Sequence, residues 1–288
     1  MRLRHVAAVV LALVLVQPVH ALAAGVQALF DLDSPTAGPF PSDRFTLPDP
    51  SQLTGLRVDL PRPDCGARPS DCADIDVLNT LDGFNPQPRL SVPFSGPIDP
   101  ATFTSAAVFL VSVGDTLGGG AGKVVGINQV VWDPATNTAH AESDELLEQH
   151  TRYALIVTDA VRDAAGDPVE AGAFARFRHD LNLGQTHDPE LKAYGKALLD
   201  ALHVAGVPPA RVVVASVFTT QSATAVLEKI RDQLGAATPE PAGFLLGAGG
   251  VRTVFALTDV AGITFARQIA VAGPLSPTAV PVAGLGVF

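Results

Sequence analysis

The chain is short of charge, of sulfur and of most catalytic signatures. Charged residues make up 17% of its 288 residues, and 29 Asp and Glu outnumber 19 Lys and Arg for a formal net charge of −10. Nucleic-acid binding needs Lys and Arg gathered against phosphates, and no basic cluster follows the first few residues, so a nucleic-acid partner is excluded. The two cysteines cannot supply the four ligands of a structural zinc site. The histidines, His140, His150, His179 and His187 among them, form no His-x-x-x-His pair on a helical face. Also missing is Gly-x-Ser-x-Gly, the turn that lifts a nucleophilic Oγ out of an α/β-hydrolase sheet. Ser216, in Val-Ala-Ser-Val-Phe, lacks the flanking glycines and reads as an ordinary strand serine. Paired carboxylates for glycoside hydrolysis are defined by their separation in space and leave no mark in a sequence. Gly118-Gly-Gly-Ala-Gly-Lys123 fails as a phosphate loop, because Leu117 replaces the first glycine and Val124 the magnesium-binding Ser or Thr. It reads as a flexible hairpin loop. No catalytic residue and no cofactor site is expected.

Apolar residues make up 47%, which excludes a disordered chain, and 24 prolines with 26 glycines favour short elements joined by turns. Leu90, Val92 and Phe94 alternate with polar or turn-forming neighbours, the period of a half-buried strand. Ala107–Val113, Val124–Trp132, Thr138–Glu142, Tyr153–Thr158 and Phe174–Arg178 continue the series of strand candidates. Tyr153, Leu155 and Val157 point to one face, and the turn after them carries an Asx cap at Asp163 and a positive φ at Gly166. Short strands at this spacing predict a mainly β fold: an Ig-like antiparallel β-sandwich over 84–182.

A smaller mixed α/β part over 183–288 follows. Asp188 caps a helix with Pro189 in its first turn, Leu191, Tyr194, Leu198 and Leu202 share one face, and Gly206 ends it. Arg211–Thr219 is a buried-strand candidate. Ser222 is placed to cap a second helix carrying Val226, Ile230 and Leu234, with Gly235 as its stop. Val251–Leu257 and Gly262–Val271 resemble strands. Leu275–Phe288 is an apolar, uncharged tail that predicts a surface awaiting a partner.

Ahead of the sandwich, Arg2 and Arg4 precede an apolar core at Val6–Val16 and an Ala-x-Ala ending at Ala23, the pattern of a signal peptide over 1–23. That core is too short for a span of ~20 residues, so the expected product is secreted, periplasmic or cell-surface and not integral to the membrane. Residues 24–83 form a Pro- and Asp-rich lead, predicted to lie extended across a larger body and anchored by Phe30, Phe40, Phe45 and Leu47. An oxidising compartment allows Cys65 and Cys72 to pair. Asp71, Asp74, Asp76 and Asp82 lie close enough in sequence for a calcium site. Their spacing is not that of an EF-hand and no Glu closes the set, which favours turn aspartates capping backbone amides.

Phe84–Thr104 and Tyr153–Pro168 resemble the opening and the late half of bacterial Ig-like modules of the SbsA type. Phe40–Thr46, Pro69–Asp74 and Val212–Ser222 resemble the N-terminal region of secreted bacterial α/β-hydrolases, a group that includes lipases labelled as virulence factors. That resemblance implies a non-catalytic accessory region whose partner is an α/β-hydrolase domain, in cis or in trans. The catalytic domain itself would begin where this chain stops. The alternative is a cell-surface adhesion or carbohydrate-binding Ig-like module.

Overall fold

The structure, a computed structural model, describes residues 25–238 except 183 and 185, together with 281–282 and 286–287. Its elements in chain order are β1 (Thr46–Pro48), β2 (Leu56–Val58), α1 (Pro69–Leu78), β3 (Leu90–Pro93), β4 (Val108–Asp115), β5 (Val124–Val125), β6 (Ile127–Asp133) and β7 (Thr138–Ser143). They continue with β8 (Thr151–Thr158), α2 (Gly172–Asn182), α3 (Pro189–Ala205), β9 (Val212–Thr219), α4 (Ala225–Ala236), β10 (Pro281–Val282) and β11 (Gly286–Val287).

Two antiparallel sheets, ordered β3-β7-β6 and β5-β4-β8-β9, form the sandwich that the sequence predicts. Their apolar side chains share one core, with Leu90, Val92 and Ala139 from the first sheet and Leu110, Leu155 and Val157 from the second. The second sheet is covered on its other side too, where α3 packs on β4, β8 and β9, and α2 on β9. This explains a departure from simple alternation. Tyr153, Leu155 and Val157 are buried as expected, but so are Ala154 and Ile156, because a strand enclosed on both faces selects apolar residues throughout.

Several elements differ from the sequence reading. Val124–Trp132 is not one strand. It divides at Gly126, and β5 joins β4 while β6 joins β7 in the opposite sheet. The crossing is tight: a Cβ on Gly126 would overlap Asp144 Oδ2 and lie 2.7 Å from Ser105 Oγ. Phe174–Arg178 is helical, within α2. Phe174 is buried, Phe177 packs on the core, and this three-residue step places both on one helical face. The second predicted helix starts later than its Ser222 cap. Thr224 takes that end, accepting from Glu228 N at 2.9 Å through its carbonyl, and Gly235 lies inside α4. By contrast, α3 has the predicted ends, with Asp188 accepting from Glu190 N and Leu191 N and Gly206 left-handed at φ 65.

The lead is more deeply built in than an extended strap. Ala28 bridges Phe94 and Phe40 bridges Ser91, continuing the first sheet past the edge of β3. Phe45 and Val58 are interior. Phe30 packs edge-on against Phe174, and Phe40 against Phe84. The lead also closes the open edge of β9, where no fifth strand pairs among the described residues. Asp43 accepts from Thr219 N and Thr219 Oγ1, both at 2.8 Å. Ser216 Oγ donates to the Pro41 carbonyl at 2.8 Å, and Tyr194 Oη accepts from Ser42 Oγ at 2.9 Å and Val217 N at 3.4 Å. Side chains thus satisfy edge groups that would otherwise template aggregation. Hydrogen bonds therefore cross both 83/84 and 182/183, the sequence boundaries expected between lead, sandwich and C-terminal part.

The chain divides after Lys229. Beyond it, β10 pairs with β11 antiparallel. The expected signal peptide (1–23), the expected strands at Val251–Leu257 and Gly262–Val271, and most of the tail Leu275–Phe288 lie outside the described residues.

Candidate functional site

The antiparallel register of β4 and β8 pairs Asp115 with Thr151, which brings Asp115 beside the preceding residue, His150. Their side chains meet with Asp115 Oδ1 2.8 Å from His150 Nδ1. The same carboxylate oxygen accepts from Leu117 N at 2.7 Å. Burial would raise the Asp115 pKa, but the Leu117 N–H and the His150 ring outweigh it and hold the carboxyl below its ordinary value. The His150 backbone takes a left-handed φ of 41. Its carbonyl accepts from Thr116 N at 2.8 Å and Thr116 Oγ1 at 2.9 Å.

Between Asp115 and β5 runs the glycine-rich loop, with Gly118, Gly119 and Gly122 at φ of 113, 119 and 90, a path closed to side chains. Asp115 N donates to the Gly119 carbonyl at 2.9 Å and Gly122 N to the Ser112 carbonyl at 2.7 Å. No helix follows, so this is the hairpin loop the sequence predicts. Loop and strand ends enclose a polar cleft of about 440 Å³, walled by Asp115, Gly119, Lys123, Glu148, His150 and Tyr153. Lys123 is paired with Glu145, which raises its pKa. Tyr153 is fully buried, and its oxygen accepts from Glu148 N at 3.1 Å. Burial raises its pKa and keeps the phenol neutral. The cleft is lined by the carboxylates of Asp115 and Glu148 and by the His150 imidazole, groups suited to a hydroxylated ligand. Among the described residues no Ser, Thr or Cys side chain hydrogen-bonds the His150 ring.

The other predicted positions fall apart from this cleft. Cys65 and Cys72 are joined by a disulfide, with Cα atoms 5.7 Å apart. Asp71, Asp74 and Asp76 all lie on α1, but they do not converge: Asp71 pairs with Arg68, and Asp76 with Arg62 at 2.6 Å. No group of three or more His, Cys, Asp or Glu able to hold a metal ion is found among the described residues. Asp82 caps the chain elsewhere, accepting from Ser222 N at 2.9 Å. Ser216 is buried in β9 with its hydroxyl committed to Pro41. His140 Nδ1 lies 2.9 Å from Ser91 Oγ, and burial, followed by the charge of Arg89, lowers its pKa. The Asp115–His150 pair has no sequence spacing that announces it. Register between β4 and β8 alone creates it, so only a correct pairing of those strands could have revealed it.

What the fold and cleft define is a mainly β, antiparallel sandwich with helices on one side and a polar cleft at a loop end. Among the described residues no helix is long and apolar enough to cross a membrane. No family model and no curated protein matches the chain. Among solved structures, the S-layer protein SbsC is similar over 36% of this chain and 14% of its own, with 17% identity and a TM-score of 0.24. The structure of its domains 1–6 is similar over 35% of this chain and 14% of that one, with 15% identity and a TM-score of 0.24. The chain thus spans about a seventh of the length of these two structures, and overlaps this slight carry no functional argument.

Proposed function

We propose that this chain is a secreted, non-catalytic Ig-like accessory region that packs beside an α/β-hydrolase domain, supplied in cis or in trans. One observation carries the reading. Phe40–Thr46 and Val212–Ser222, two of the stretches that resemble the hydrolase N-terminal region, interlock through Ser216–Pro41 and Asp43–Thr219. The stretches that carry the resemblance thus form one joint, which supports reading them together as a single structural unit. Ser216 serves in that joint as a scaffold hydroxyl, and Cys65–Cys72 pins α1 in a manner suited to an oxidising compartment. Purified mature chain should turn over short p-nitrophenyl esters no faster than buffer, and the adjacent coding sequence should encode a Gly-x-Ser-x-Gly hydrolase that co-purifies with it. Robust turnover abolished by a serine-directed inhibitor would overturn the assignment.

A second reading, a carbohydrate-binding or adhesion module at the cell surface, is favoured by the polar cleft. It expects saturable binding of the isolated chain to cell-wall glycans, weakened about tenfold by Asp115→Asn through the lost charge-assisted hydrogen bonding. Glycan arrays with no signal above background would remove it.

A further inference from the structure

Where the lead meets the strand-leading segment 81–89, the molecule contains a second opening of different chemistry. This slot of about 260 Å³ is walled by Phe40, Val58, Leu60, Leu78, Leu81 and Phe84. It is a little smaller than the roughly 300–1,000 Å³ of drug-sized sites, and so matches a fragment-sized apolar group. Its apolar walls are incompletely covered: Leu78 is 43% exposed, and Phe40, Leu60 and Leu81 are half-buried.

The polar members of the lining are Asn85, Arg89 and Gln221, and no carboxylate lines it. Seven other arginines form ion pairs with Asp or Glu, whereas Arg89, like Arg162, Arg176 and Arg178, joins none among the described residues. An apolar slot lined by one cation and no anion favours a negatively charged head locally, against the chain's overall negative charge. It fits a ligand with a hydrocarbon body and an anionic head. A guanidinium is the side chain whose planar fork matches a carboxylate.

We infer that this slot binds a medium-chain carboxylate, its acyl chain between Phe40, Leu78 and Phe84 and its head on Arg89. The inference is independent of a hydrolase partner, since every wall belongs to this chain. Titration of the full mature chain with octanoate, followed by calorimetry and by backbone amide shifts, tests it. One saturable site is expected, with shifts concentrated at residues 78–89. Arg89→Gln, on an exposed position, should weaken octanoate about tenfold or more and leave octanol binding unchanged. Leu78→Trp, which fills the slot from an exposed position, should weaken both ligands. Absence of saturable binding, shifts located elsewhere, or equal loss of octanoate and octanol in Arg89→Gln would each overturn the inference.

Discussion

Asp43 lies at the junction of the lead and β9, its side chain 11% exposed and its Oδ2 3.7 Å from Arg152 Nε. Burial pushes its pKa up to about 6, against the pull of Arg152 and of the Thr219 hydrogen bonds. The folded value thus exceeds the ordinary 3.8, so between the two the native state holds the proton more tightly. This contribution to stability is fully present below pH ~4 and is lost as pH rises through about 6. About two pKa units correspond to roughly 3 kcal/mol. Urea unfolding from pH 4 to 7.5 should show this decline, and Asp43→Asn should flatten it; an unchanged profile in the variant would contradict the assignment. Tyr194 complements it. Burial pushes this phenol up to about 12, leaving it neutral while it accepts from Ser42 and Val217. Tyr194→Phe leaves two buried donors unsatisfied and should cost about 1–3 kcal/mol in the same measurement.

Among the elements, β9 depends on contacts that backbone pairing does not provide. Gly83 passes so close to its end that an added Cβ would lie 2.7 Å from the Thr219 carbonyl and 2.8 Å from Gln221 N. Those are backbone atoms with little room to yield, so Gly83→Ala should destabilise by about 1–3 kcal/mol, visible as a lower urea midpoint. The disulfide acts more locally. Cys65 and Cys72 are seven residues apart, and a loop that short contributes about 2–3 kcal/mol at most. Cys72→Ser should hasten proteolysis within 62–80 while hydrogen exchange in β8 and β9 stays slow. The legibility of elements follows a physical line. The helix α3 was readable because its cap, its apolar face and its left-handed glycine are all local. So was the turn after β8, where Asp163 Oδ1 accepts from Ala165 N and Asp167 N, both at 2.9 Å, and Gly166 takes φ 91. The sheet change at Gly126 was not readable, since only the presence of Ser105 and Asp144 makes glycine necessary there. Phe174–Arg178 departs from the strand expected there because five residues are too few to separate a two-residue period from a helical one.

Within the unit that ends at Lys229, α2 and α3, a four-stranded sheet and a three-stranded sheet lie in successive layers, and the middle layer carries the continuous apolar sequences. That arrangement explains why the sandwich was legible and the candidate sites were not. Burial writes itself into the composition of a strand, whereas the polar cleft and the apolar slot are assembled from residues distant in sequence. The middle layer should be the last to exchange its amides. Exchange rates for β8 and β9 that approach those of global unfolding, with faster rates in β6, are the expected pattern. Uniform exchange across both sheets would argue against a layered core.

Asp43 and Thr219 are 176 residues apart. A chain threaded outward from its N-terminus presents the carboxylate early and the threonine only after some two hundred residues have emerged. Until then the seam between the lead and β9 stays open. Closing it ties the folding of the lead to that of β9, across the whole stretch of chain between them.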